Sequence, residues 1–251
     1  RIWVDSAVAA AHRAIELDAE AAEAHWALGN AYEAQRRIHD AQEAYREAIR
    51  LDPNHYRAVR DIGSVNQLLG RYDEAIRWFR RAARLAPNDL SHRFSLASSY
   101  EFLGLYQAAR EWTQAILDLE PESVSARVRL LNISLHLALL DEEGDTRAVF
   151  AGVEELLRDA PGDPYAWTGA AGLVYGARAF ELAAGYARES LGLAPDNELF
   201  FWHYTETLLG LSLLLSGDTE EGRGVLRTAM EEDRRRLQEG AAARARPRPA
   251  A

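Results

Sequence analysis

The sequence has no cysteine. Disulfides, thiolate metal sites and cysteine chemistry are therefore excluded, while the redox compartment stays undecided. Lysine is absent too, so all 29 basic residues are arginine. With abundant Ala, Leu and Gly, this points to a GC-rich, bacterial genome. Breakers are scarce, with 8 Pro and 17 Gly in 251 residues. Positive charge is outnumbered: the formal net charge is −10 and the pI about 5.3. That argues against a general nucleic-acid binder, because phosphate needs a basic face. No long run is apolar enough to span a membrane. The best candidate, from Leu199 to Leu215, holds His203, Thr205, Glu206 and Thr207, and reads instead as a buried helix. No signal peptide opens the chain. It begins at Arg1 without Met, which leaves secreted or surface locations open beside a slightly favoured cytoplasmic one.

What is present is repetition. Over residues 22–123 one pattern of 34 residues is written three times. Pro53, Pro87 and Pro121 keep that step, as do Ala41, Ala75 and Ala109, and Leu28, Ile62 and Leu96. Gly29 and Gly63 are followed by Ala97, and Tyr32 and Asn66 by Tyr100. A fixed period of this length predicts a solenoid of stacked units. Within each unit the apolar positions recur at 3- and 4-residue steps, as in Ile62, Val65, Leu69 and in Ala75, Phe79, Ala82. The spacing predicts helices over about 56–69 and 73–85, stopped by Gly70 and Pro87. The small residues at 29, 63, 41 and 75 are expected where two helices cross closely.

These positions resemble the tetratricopeptide repeat. Ala22–His55 carries Leu28-Gly29, Tyr32, Ala41, Tyr45, Ala48 and Pro53 on that family's signature positions. Tyr56–Asp89 carries Ile62-Gly63, Gly70, Tyr72, Ala75, Phe79, Ala82 and Pro87. Leu90–Glu122 carries Leu96, Tyr100, Gly104, Tyr106, Ala109 and Pro121, with Ala97 in place of Gly and Ile116 in place of Ala. The resemblance implies an all-α fold: antiparallel helix pairs in a right-handed superhelical solenoid, with a concave groove lined by the first helix of each pair.

The rest of the chain bends the pattern. Residues 1–21 fit the second half of a repeat, with one helix over about 3–17, and truncation or processing is the expected cause. Residues 22–123 form three regular repeats. Pro161 comes 40 residues after Pro121, so 124–163 is an extended fourth repeat with a first helix over about 123–140 and a loop at 141–145. Residues 164–197 form a fifth repeat, with Trp167, Ala171 and Ala183 in register. Residues 198–239 form an extended last repeat, with helices over about 198–215 and 219–238. Residues 240–251 are an Ala/Arg/Pro tail, expected to be flexible. The total is six full repeats plus the leading half, about 13 helices by this reading of the sequence.

No catalytic constellation stands out, and no enzyme activity, metal or cofactor is expected. The seven His are scattered, none paired at ligand spacing. Gly169 with Gly172, and Gly222 with Gly224, lie in helix-period segments and point to close packing rather than a phosphate loop. By resemblance the groove would present Trp26, Asn30, Arg57, Arg60, Gln67, Phe94, Glu101, Asn132, Tyr165 and Tyr175. Asn bonds a peptide backbone in both senses, and aromatics supply anchors. Some family members clamp a C-terminal carboxylate with Lys and Arg. Here the first clamp position is Trp26, lysine is absent and Asn30 alone matches, so that chaperone-adaptor reading is rejected. Trp3, Leu211, Leu215, Arg244, Arg246 and Arg248 are candidate end contacts.

The functional expectation is a non-catalytic scaffold that binds a protein or peptide partner through its groove, its ends or both. The first alternative is head-to-tail self-assembly through uncapped ends, giving oligomers or a filament. The second is the regulatory arm of a larger bacterial signalling enzyme. Neither nucleic acid nor a membrane span is expected among its partners.

Overall fold

The computed structural model describes residues 2–141, 145–193 and 202–245, apart from the side chains of 2–4, 202, 203, 233, 236, 237 and 239–245. Thirteen helices and no strand occur among them. They fall into two compact units, residues 1–121 and 122–251.

The first unit holds α1 (Ile2–Leu17), α2 (Ala22–Ala34), α3 (Ile38–Leu51), α4 (Tyr56–Leu68), α5 (Tyr72–Leu85), α6 (Ser91–Phe102) and α7 (Tyr106–Leu117). The pairs α2/α3, α4/α5 and α6/α7 are hairpins, and each packs on the next, with α1 leaning on α2. The turn inside each hairpin closes in one way. Arg37 N–H bonds Tyr32 C=O, Arg71 bonds Asn66 and Leu105 bonds Tyr100, each at 2.9 Å. This six-to-one bond requires a left-handed residue just past the helix. Gly70 (φ 71°) and Gly104 (φ 70°) supply it without strain, but the first repeat uses Arg36 (φ 63°).

The small residues are explained by rings. A Cβ on Gly29 would stand 2.4 Å from the Tyr45 ring, and one on Gly63 2.8 Å from the Phe79 ring. The ring lies flat on the glycine, and Tyr45 and Phe79 are fully buried. In the third repeat the partner in register is Thr113, also fully buried, and Ala97 replaces the glycine. Volume lost on one helix is returned on the other, as close packing demands.

The second unit holds α8 (Val124–Leu140), α9 (Arg147–Asp159), α10 (Pro164–Gly176), α11 (Phe180–Leu193), α12 (Trp202–Ser216) and α13 (Thr219–Ala245). Its hairpins are α8/α9, α10/α11 and α12/α13, with α8 against α10 and α11 against α12. Arg178 (φ 65°) takes the left-handed position after α10, and Ala179 N–H bonds Val174 C=O at 2.8 Å. Helix α8 has 17 residues, and residues 142–144 of the loop after it lie outside the described residues. The α12 expectation holds for Leu208, Leu209 and Leu213, which are buried, while Leu211 and Leu215 are 37% and 54% exposed. Gly222 meets α12 closely, its Cβ position lying 2.8 Å from Gly210 C=O, but a Cβ on Gly224 would meet no atom within 4 Å, contrary to the packing expected for it. Helix α13 runs to Ala245, seven residues past the expected 238. Ala241–Ala243 and Ala245 favour helix, and Pro247 is the first residue unable to continue it.

A buried hydroxyl chain ties three helices of this unit. Ser190 Oγ donates to Pro164 C=O at 2.7 Å, so its proton is committed. Ser190 therefore accepts from Thr168 (2.7 Å), and Thr168 accepts from Thr205 (2.8 Å). The three side chains are 2%, 3% and 1% exposed.

Candidate functional site: a cavity between α2 and α4

A cavity of about 610 Å³ opens between α2 and α4, walled by Trp26, Asn30, Glu33, Arg60, Asp61 and Leu68 among others. One side chain organises it. Asp61 is only 8% exposed and accepts from Trp26 Nε1 (2.7 Å) on one oxygen and from Arg60 Nε (2.7 Å) on the other. The carboxylate thus locks an indole and a guanidinium from neighbouring repeats in one orientation. The bond to Asp61 in turn holds Arg60 firmly protonated. Arg57 extends the wall: it stacks over Trp26 (5.3 Å) and pairs with Glu23 (3.4 Å). His55 caps α4, its Nδ1 accepting from Ala58 N–H (3.2 Å), so its Nε2 carries the proton toward Glu23 (2.9 Å).

The opposite wall rests on Tyr45. Its hydroxyl bonds Asn30 Oδ1 (2.7 Å) and Glu33 Oε2 (2.9 Å). Burial, with Glu33 and Asp61 nearby, raises the Tyr45 pKa far above its ordinary value, so the hydroxyl stays a donor at any working pH. Asn30 is held from behind and faces the cavity with its amide. Leu68 adds an apolar surface 60% exposed. One repeat on, Phe102 is 63% exposed and stacks on Tyr72 at 4.9 Å between centroids. Arg36, in its left-handed turn, lies at the cavity rim.

The structure therefore brings together Trp26, Asn30, Arg57 and Arg60. Gln67 lies further along, donating to Ser99 Oγ (3.2 Å), and Phe94 and Glu101 are half-buried on α6, outside the cavity lining. Asn132, Tyr165 and Tyr175 belong to the second unit. There Asn132 is exposed, Tyr165 is 37% exposed, and Tyr175 packs edge-on against Phe180 at 5.4 Å. Burial raises the pKa of Tyr204 on α12, with Tyr175 and Tyr165 adding to the shift. The expected contacts at Trp3, Arg244, Arg246 and Arg248 lie outside the described side chains. Asp61, Arg36 and Leu68 line the cavity but were not singled out from the sequence, nor was the exposed Phe102 one repeat on. A comparison in register finds Asp61 where Ala27 and Ser95 stand, and Arg36 where Gly70 and Gly104 stand. Among the described residues no group of three or more His, Asp or Glu is placed to hold a metal, and no helix is long and apolar enough to cross a membrane.

The sequence pattern of the tetratricopeptide repeat family matches residues 27–89, which hold the cavity lining apart from Trp26. Residues 27–89 carry tetratricopeptide repeats. Solved structures extend the likeness in fold. A tetratricopeptide repeat protein from Parabacteroides merdae aligns with TM-score 0.73 at 17% identity, over 91% of this chain and 86% of its own. YrrB, described as a TPR protein with an unusual peptide-binding site, aligns with TM-score 0.53 at 21% identity, over 75% of this chain and 94% of its own. The Cut9–Hcn1 hetero-tetramer of the APC/C gives TM-score 0.60 at 16% identity, over 90% of this chain and 46% of that chain. No curated protein matches the sequence closely enough to serve as a relative.

Proposed function

We propose that this tetratricopeptide-repeat chain is a protein-interaction scaffold that takes an extended peptide segment in the cavity of its first unit. The observation that carries this reading is the cavity between α2 and α4, which a fixed amide, a fixed indole and an exposed leucine line together. Asn30 can give and take hydrogen bonds with a peptide backbone, and Leu68 and Trp26 offer surface to an apolar side chain. The polar groups are held by Asp61 and Tyr45 before any ligand arrives, which lowers the ordering cost of binding. YrrB, a neighbour in fold, is described as having a peptide-binding site, which is in keeping with this use.

Selection of a random peptide library on the intact chain tests it. Peptides recovered should lose at least tenfold in affinity to Leu68→Glu and to Asn30→Ala. Affinities unchanged by both would overturn the reading. A second reading, self-association through the ends, draws on exposed Leu211 and Leu215 of α12. Light scattering over a concentration series decides it, and a monomer throughout would sink it.

A further inference from the structure

Helix α5 carries a second surface, away from the cavity. Its apolar side, with Ala75, Ile76, Phe79 and Ala82, is buried. The opposite side presents Arg77, Arg80, Arg81 and Arg84, which fall within one face of the helix at i, i+3, i+4 and i+7. Like charges at these spacings repel, and a solvated helix face normally interleaves signs.

The equivalent helices of the same unit differ: α3 interleaves signs and α7 carries no positive charge at these positions. In register, α3 has Glu43, Arg46, Glu47 and Arg50, with Arg50 bound to Glu47 at 2.6 Å. Helix α7 has Glu111, Gln114, Ala115 and Asp118, and Gln114 donates to Asp118 at 3.0 Å. The four positions have matching exposure on all three helices. Only α5 fills them with a single sign. Among the described residues none of its four guanidinium groups forms an ion pair. Arg80 donates to the Tyr100 hydroxyl and Arg81 to the Pro53 carbonyl, both neutral acceptors. Those bonds fix the two groups in place and leave their charge uncompensated. Arg81 is further steadied by the Trp78 ring at 5.7 Å.

We infer that the arginine face of α5 docks an acidic protein segment, one whose carboxylates repeat at helical spacing. Four positive charges, two of them fixed by hydrogen bonds, span about 10 Å of helix and match such a segment turn for turn. A nucleic acid fits less well. Its phosphates continue past the stripe, and the equivalent positions of the next hairpin carry exposed Glu111 and, at the α7 C-cap, Asp118, which would repel them. Another copy of this chain, with net charge −10, is disfavoured by overall repulsion. The stripe is separate from the cavity, so the two surfaces stand or fall independently.

The test uses the full chain and fluorescence anisotropy. The probe is a labelled helical peptide with Glu at i, i+4 and i+7; the controls are the same composition with scrambled spacing and a 20-nucleotide single strand. The variant is Arg77→Glu with Arg84→Glu, which puts acidic residues where α3 and α7 already carry Glu43 and Asp118, so the fold is retained. The regular peptide should bind at least fivefold tighter than the scrambled one, weaken as salt rises, and lose at least tenfold in the variant. Leu68→Glu should leave it unchanged. No binding to wild type, equal binding of the scrambled peptide, tighter binding of the oligonucleotide, or an unaltered affinity in the variant would each overturn the proposal.

Discussion

At Arg36 the chain places a β-carbon in a backbone conformation that costs roughly 1–2 kcal/mol for an L-residue, where the next two repeats use glycine. Arg178 repeats the arrangement in the second unit. Replacing either by Gly should raise stability by about 0.5–1 kcal/mol, after glycine's larger entropy loss is deducted. Denaturant titration of each variant checks this. His92 makes the opposite kind of statement. It is fully buried, and burial depresses its pKa despite Asp89 at 3.5 Å. Unfolding restores an ordinary pKa near 6.5, so the unfolded chain binds the proton more readily. The contribution of neutral His92 is whole above about pH 6.5 and is lost as pH falls toward the depressed value. His92→Gln, which does not titrate, should lose less stability than wild type between pH 7.5 and 5.5. Equal losses in the two proteins would refute the assignment. Neither feature is periodic. Arg36 was legible as a departure from Gly70 and Gly104 in register, whereas the burial of His92 depends on how α6 meets Tyr56 across 6.3 Å, which no spacing encodes.

At the scale of elements, the helices followed from the 34-residue step because one face of every helix must be covered by the next. Their contacts were less legible. Gly63 was readable as a close crossing, but not that Phe79 is what it makes room for. Gly63→Ala should cost about 1–3 kcal/mol through overpacking, and Phe79→Thr about 3–5 kcal/mol through the cavity left behind. Combining them copies the Ala97–Thr113 pair of the third repeat. The double variant should therefore be more stable than the sum of the two losses implies, by about 1 kcal/mol or more in a double-mutant cycle. Strict additivity would mean the ring and the glycine are independent. The cavity shows the same division. Trp26, Asn30 and Arg60 were placed by the repeat, but Asp61, which joins two of them, is peculiar to one repeat and is invisible to a pattern built from three.

At the scale of the whole molecule, a repeat array holds together by contacts between neighbours, so its stability need not be a single quantity. Here the helices cluster as two units, each with its own buried core: Tyr45, Val59 and Ile62 in the first, Val153, Leu156 and Val174 in the second. The second also depends on a polar link. Removing the middle hydroxyl with Thr168→Val takes the donor from buried Ser190 and breaks the link to Thr205, at a cost of about 1–3 kcal/mol. If the units unfold separately, this loss stays in residues 122–251, and that of Gly63→Ala stays in 1–121. Hydrogen exchange followed by mass spectrometry along a urea series resolves the two, since peptides report each unit by itself. Thr168→Val should move the midpoint for peptides of α10, α11 and α12 and leave those of α3, α4 and α5 in place. A common shift of both sets would show one cooperative body instead, and the cavity of the first unit would then feel every change made in the second.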